Sequence, residues 1–586
     1  MFSAIASASV LGAEGQPVTV EVHVSSGLPG FTIVGLPDES CRESRDRVRA
    51  AFLSSSLPWP SKRITVNLAP TTRRKGGSGL DLAIAIGILV ASEEIPARAV
   101  ADMGFLGELG LDGSVRPIAG VVPLVAALDA AVPIVPFGCE WEAAVINPKF
   151  KSVGDLAELA AALRGLKPWP DPPLRVRKPV PEVTIDMADI RGQSQARLAA
   201  EVAAAGHHHL MLVGPPGAGK TMLAERLRDL LPLLSSEQGL ETTKIHSAAG
   251  LPLPQEGLIT IPPFRAPHQT SSIVSVIGGG TAAMRPGEVS LASGGVLFLD
   301  EMSEFPSGIL DSLRQPLEEG VVRVSRARGT VTFPARFLLV GATNPCGCGA
   351  GGTRRGCECS DAMRLRYLRR LSGPLLDRFD LRIGVERVQA DDLLSDQKAE
   401  STAVMADRVK MARQRAVERA GVINADLPGS LLEKHAPLTK DASALLRHRL
   451  DQGNLTGRGL HRVRRVALTL ADLRGEDGPL NEEQIGAALS LRSDPLARRE
   501  VAASRSFPNR PTPRRSHRWP TSRHRGCAHY WPAWRPRMRG RRCDRERPFS
   551  PGCRRSARPR IRSERFRLRP RRSGPRQSGR AVSEPA

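Results

Sequence analysis

The stretch VGPPGAGKT, Val213 to Thr221, has the form G-x-x-x-x-G-K-T, with Gly214, Gly219, Lys220 and Thr221 at its fixed positions. Pro215, Pro216, Gly217 and Ala218 fill the interval. Glycines let such a loop curl until backbone N–H groups converge on one anion, and the helix behind it adds partial positive charge. Lys220 reaches the outer phosphates of ATP, and the Thr221 hydroxyl ligates Mg²⁺. Further on, GGVLFLDEM ends four apolar residues in Asp300 and Glu301. Asp300 is expected to hold the Mg²⁺ hydration shell, and Glu301 to orient and activate the attacking water. Cys346, Cys348, Cys357 and Cys359 form two C-x-C pairs eight residues apart. Four thiolates suit a tetrahedral Zn²⁺ site, although the usual spacing is C-x₂₋₄-C. A reduced loop is the alternative.

The flanks supply what the phosphate loop needs. Leu210 to Val213 reads as a buried strand, and Leu223, Leu227, Leu230 and Leu231 recur at helical spacing. Val296 to Leu299 and Phe337 to Pro345 read as two more buried strands. Earlier, Val18 to Val24 alternates as a half-buried strand, LDLAIAIGILVAS reads as a buried helix, and a hairpin turns at Asp112-Gly113. Three adjacent histidines, His207 to His209, cannot all face one ion and read as a helix-to-strand connection.

The motifs GLPGFTIVGLPD, NLAP, GSGLDLAIAIGIL and GELGLDGSVRPIAG resemble the YifB or ComM family of magnesium-chelatase-like AAA+ ATPases. So do RAPHQTSSIVSVIGGGTAAMRPGEVSLASGGVLFLDEM, LRQPLEEG, ATNPCGCG and SGPLLDRFDL, which extends the likeness to about residue 495. His268-Gln269 and Ser293 depart from that pattern, which has His at Gln269 and Ser293. The resemblance implies an α/β architecture. A Lon-protease-like α+β domain occupies 1–167 and a proline-rich linker 168–184. An AAA+ core follows at 185–390 and a helical lid at 391–500.

Several roles follow from the resemblance alone. Ile190 and Gly192 match the box that flanks the adenine. Asn344 matches the polar sensor of the γ-phosphate. Arg378 matches the arginine that reaches into the neighbouring subunit's site. Arg458 matches the second sensor arginine of the lid, with Arg462 as the alternative. Two pore hairpins are implied, one around IVSVIGGGTAAMRPGEVS and one bearing Arg326, Arg328 and Gly329. Ser78 falls near the nucleophile of Lon proteases, but the helix after PIAG lacks the partner Lys. A serine without its base is a poor nucleophile, so Ser78 reads as a helix N-cap and the domain as a non-proteolytic scaffold.

The formal net charge is +24, but residues 501–586 hold 26 Arg, no Lys and 4 acidic residues, so +22 of it lies there. The first 500 residues are nearly neutral, and the basic pI says nothing of their partners. The tail reads as disordered and as an out-of-frame read of a GC-rich gene. Its rival is an Arg-rich nucleic-acid arm with Trp519, Trp531 and Trp534. The longest apolar run, Leu82 to Ala91, is short of the ~20 residues of a membrane span, and nine Cys make no disulfide framework. A cytoplasmic protein is expected.

The resulting expectation is a ring-forming ATPase, with six subunits, that uses ATP and Mg²⁺ to remodel branched or single-stranded DNA. A metal-insertion motor of the magnesium-chelatase kind and a Lon-like protein-remodelling ATPase are the alternatives.

Overall fold

The computed structural model describes residues 1–71, 75–172, 185–254, 257–280, 284–326, 329–349, 357, 359–368, 370–371, 373–394 and 399–492. Most of the proline-rich linker, Arg328 and the whole arginine-rich tail lie outside the described residues.

The N-terminal part is built on a seven-stranded sheet. Its strands are β1 (Phe2–Leu11), β2 (Glu14–Ser25), β3 (Gly30–Val34), β4 (Arg63–Ala69), β5 (Met103–Phe105), β6 (Val132–Pro136) and β7 (Lys151–Val153). They lie in the order β3-β4-β2-β1-β5-β6-β7. In β2 the period of two is read out directly, because Val18, Val20, Val22 and Val24 are buried while Thr19 and His23 are exposed. Helix α1 (Glu39–Ser54) is capped by Asp38, whose carboxylate accepts from the Cys41 N–H. Helix α2 (Asp81–Ala91) is buried along its whole length against β1 and β2, which explains its lack of a polar face. Helix α3 (Val121–Ala127) closes the opposite face of this α+β domain.

Next come α4 (Ser194–Gly206), β8 (Leu210–Val213), α5 (Lys220–Leu227), α6 (Ser236–Ala249), β9 (Phe264–Arg265) and β10 (Val296–Leu299). A hairpin of β11 (Val321–Arg326) and β12 (Gly329–Pro334) precedes β13 (Leu338–Thr343) and β14 (Leu381–Gly384). Five of these strands form a parallel sheet in the order β9-β10-β13-β8-β14. Strand β8 is interior, with Leu210 opposite both Val340 and Leu381. A parallel sheet is covered on both faces, and its ligands bind beyond the carboxyl ends of its strands. Those ends are where the phosphate loop, Asp300 and Asn344 emerge.

The last described part is helical, with α7 (Thr402–Ala420), α8 (Lys440–Asp451), α9 (Gly457–Arg474) and α10 (Glu482–Ser490). One apolar core runs from α4 and β8 through α7 to α9. The N-terminal domain rests on α6, where the Gly120 N–H donates to the Ser247 carbonyl at 2.8 Å and the Val122 N–H to the Ser247 hydroxyl at 3.2 Å. Among the described residues, no helix is long and apolar enough to cross a membrane.

Candidate active site

Strand β8 delivers the chain into the phosphate loop at the centre of the sheet edge. The Gly214 N–H donates to the Thr343 carbonyl at 3.1 Å. A Cβ on Gly214 would stand 2.0 Å from the Val385 carbonyl oxygen, so close packing dictates this glycine. Gly217 and Gly219 are required for another reason: their φ values are +76° and +85°, with open space above them. Ala218 between them is buried. Lys220 opens α5 and folds back over the loop. Its ammonium donates to the carbonyls of Gly214 (2.7 Å) and Pro215 (3.0 Å) and to Asn344 Oδ1 (3.2 Å). These three acceptors satisfy its three protons, and incoming phosphate oxygens would compete for the same donors. Burial pulls the Lys220 pKa down, and the charges of Asp300 and Glu301 oppose that.

The carboxylates come from the end of β10. The Thr221 hydroxyl donates to Asp300 Oδ2 at 2.8 Å, and Asp300 Oδ1 accepts from the Glu301 N–H at 2.9 Å. Glu301 is exposed and has φ +48°. A side chain in that left-handed region costs roughly 1–2 kcal/mol, a strain that tends to persist at functional sites. Fold and contacts thus bring Lys220, Thr221, Asp300, Glu301 and Asn344 to one sheet edge. Ile190 packs into the core before α4, and Gly192 follows in the left-handed region.

The remaining arginines stand elsewhere. Arg378 is nearly buried, with Nη1 on the Pro374 carbonyl at 2.6 Å and Nη2 paired with Glu318. Arg458 is exposed in the first turn of α9. Arg462, one turn on, points to the turn that bears Arg378: it donates to Asp380 Oδ1 at 2.5 Å and to the Arg378 carbonyl at 2.8 Å. Sequence reading missed Asp380 and His208, which meet at 3.4 Å in the same buried cluster. The only signal available was an acidic residue two positions after Arg378, beside an apolar strand. The three histidines do connect α4 to β8, and the rings of His208 and His209 take separate partners. His208 Nε2 lies 2.8 Å from Thr469 Oγ1, and His209 Nδ1 accepts from the Leu339 N–H at 3.1 Å.

Ser78 is not the N-cap of α2; that position falls to Leu80, which makes no side-chain cap bond. The Ser78 hydroxyl instead hydrogen-bonds the Glu108 carboxylate. The reason is the neighbouring segment: the Gly107 N–H bonds the Gly79 carbonyl at 2.9 Å and brings Glu108 beside Ser78.

The cysteines converge. Cys346 Sγ lies 3.2 Å from Cys348 Sγ and 3.8 Å from Cys357 Sγ, and all four sulfurs lie within 4.8 Å of one another. Tetrahedral Zn–S bonds of ~2.3 Å separate sulfurs by about 3.8 Å, so the donor set fits that ion. The cluster sits against the phosphate loop, since a Cβ on Gly349 would lie 2.9 Å from the Pro216 ring.

A parallel sheet in this strand order, a phosphate loop on its interior strand, paired acidic residues on the next strand but one and a helical lid together define an AAA+ ATPase, with ATP and Mg²⁺ as its cofactors. Residues 186–393 match the family described as magnesium chelatase, subunit ChlI. Residues 20–136 match subunit ChlI of Mg-chelatase, and residues 399–492 match the subunit ChlI C-terminal family. An uncharacterized protein of Mycobacterium tuberculosis is 45% identical over 494 residues, 83% of this chain and 97% of that protein. Uncharacterized protein YifB of Escherichia coli is 40% identical over 496 residues, 83% and 96% of the two chains. Competence protein ComM of Haemophilus influenzae is 39% identical over 492 residues, 82% and 96%. The chain belongs to the YifB/ComM family of magnesium-chelatase-like AAA+ proteins.

Proposed function

We propose that the protein assembles into a ring, with six subunits expected, and couples ATP hydrolysis to movement along branched or single-stranded DNA. Each site is then composite. Lys220, Thr221, Asp300, Glu301 and Asn344 come from one subunit, and Arg378 comes from the next. Arg458 is the lid residue proposed to meet the phosphates, because Arg462 is committed to Asp380. Ile190 and Gly192 flank the adenine. Asp300 and Thr221 hold Mg²⁺ with the nucleotide, and Glu301 holds the attacking water and accepts its proton.

The observation that carries the DNA reading is the pair of basic hairpins. Short strands Gly278–Gly279 and Arg285–Pro286 pair with each other, and β11 ends at Arg326. Arg285 and Arg326 line one cavity of about 940 Å³, and the Arg326 guanidinium approaches Gly279. Two arginines from separate hairpins suit contacts to a phosphate backbone. The relative named a competence protein is in line with this reading. The test is ATP turnover of the full chain with single-stranded DNA and a four-way junction. Stimulation that weakens in Arg326→Ala is expected; turnover indifferent to every DNA form overturns the reading.

The magnesium-chelatase descriptions favour a second reading, a metal-insertion motor. It requires turnover stimulated by a porphyrin instead of DNA. For the four cysteines, we propose a structural Zn²⁺ that orders the loop beside Pro216.

A further inference from the structure

The turn Asp377–Asp380, which carries Arg378, is held from two sides. Phe379 is fully buried in the ATPase core, against Gly341. From the helical lid, Arg462 of α9 donates Nη1 to both the Arg378 carbonyl (2.8 Å) and Asp380 Oδ1 (2.5 Å). Arg492, just beyond α10, donates Nη1 to the carbonyls of Phe379 (2.5 Å) and Asp380 (3.2 Å) and Nη2 to Asp377 Oδ1 (3.3 Å). Their side chains are only 21% and 10% exposed. These are partly buried, multiply bonded guanidinium groups, a geometry in which a planar fork fixes its acceptors in place. The two lid arginines thus grip four consecutive residues, with the trans-acting arginine among them.

The same node touches the route to the phosphate loop. The Asp380 N–H donates to the His209 carbonyl at 3.0 Å, at the entrance to β8. His208 lies against Asp380 on one side and against Thr469 of α9 on the other. Lid, arginine turn and phosphate-loop strand therefore share one polar cluster inside the apolar core. Coupling between two sites is carried by a discrete element that both sites bias.

We propose that Arg462 and Arg492 are positioning residues that tie Arg378 to the lid of its own subunit. A nucleotide held beneath that lid then sets where Arg378 stands for the neighbouring subunit's ATP. This rests on the reading of Arg378 as acting in trans. It makes one subunit's nucleotide state control the turnover of the next.

The test uses full-length subunits in defined mixtures. Arg462→Ala is expected to lower kcat at least about tenfold while moving KM less than about threefold, with partial rescue in Arg462→Lys. Arg492→Ala leaves Asp380 paired with Arg462 and is expected to change turnover in the same direction, which guards against a folding defect in Arg462→Ala. Arg378→Ala subunits own an intact site but offer no arginine; Glu301→Gln subunits offer the arginine but do not turn over. Mixing the two is expected to raise turnover at least about tenfold over Arg378→Ala alone, a fraction of the ~10³-fold or more that an arginine in trans contributes. Glu301→Gln/Arg462→Ala subunits are expected not to restore it. If the Glu301→Gln partner itself restores nothing, the trans reading fails and this proposal with it. If both partners restore turnover equally, the trans reading stands and the lid tie is overturned.

Discussion

The Thr221 hydroxyl and the Asp300 carboxylate meet at 2.8 Å, although 79 residues separate them in the chain. They close the side of the site on which Mg²⁺ is proposed to sit. Asp300→Asn keeps the hydrogen bond but removes the charge. ATP affinity measured with Mg²⁺ should fall about tenfold to a hundredfold, the worth of a charged contact of ~1.5–3 kcal/mol. Affinity in a chelator should hardly change, and equal losses in both conditions would contradict the assignment.

Glu301 is exposed and ends the acidic pair. Glu301→Gln keeps its shape and removes the base. Nucleotide binding should persist while kcat drops about 10²–10⁴-fold, the usual span for a general base. ATP-bound rings should accumulate on size-exclusion chromatography. Turnover at the wild-type rate would remove Glu301 from the mechanism.

Gly214 and Gly217 should answer differently to alanine. At Gly214 the new methyl would collide with the Val385 carbonyl at 2.0 Å, and backbone would have to move. Gly214→Ala should lower the melting temperature and abolish ATP binding. At Gly217 the space is open and only the positive φ resists, at a cost of about 1 kcal/mol. Equal melting temperatures for the two variants would refute this distinction.

Acid should loosen the fold through its buried histidines. Burial lowers the His209 pKa to about 4, against about 6.5 in an unfolded chain. His207 is depressed as well, first by burial and then by the Arg413 charge. The unfolded chain therefore takes up protons first. The stability is full above about pH 6.5 and is lost as pH falls toward about 4, by about 3 kcal/mol for His209 alone. For Asp380, burial acts to raise the carboxyl, but the His208 ring 3.4 Å away and the Arg462 charge hold it far below the carboxylate range, so it adds no loss in this window. The gap in melting temperature between pH 7 and pH 4.5 should shrink in His209→Gln. An unchanged gap would assign the acid sensitivity elsewhere.

The cysteine cluster predicts a metal. Full-length protein should carry about one equivalent of Zn²⁺, and changing Cys346, Cys348, Cys357 and Cys359 to Ser should remove it. Because Gly349 abuts Pro216, ATP affinity should weaken in the same variant. Equal zinc in both preparations would end the zinc proposal.

Local spacing by itself determined the phosphate loop, the strand that ends in Asp300-Glu301, the buried helix at Asp81–Ala91 and the alternation of β2. Each is a pattern of neighbours along the chain, where backbone geometry fixes which side chains share a face. The family likeness pointed to Asn344 and Arg378, but no periodicity does. Only the tertiary structure decided that Asn344 meets Lys220, 124 residues away, through the pairing of β8 with β13. It alone moved Ser78 from a cap to a partner of Glu108, since a carboxylate delivered by a neighbouring segment competes with the backbone N–H groups of the helix end. It alone placed Arg462 on the Asp380 turn. A buried charge settles where another charge is brought to it, and that is a property of the packed chain, not of its order.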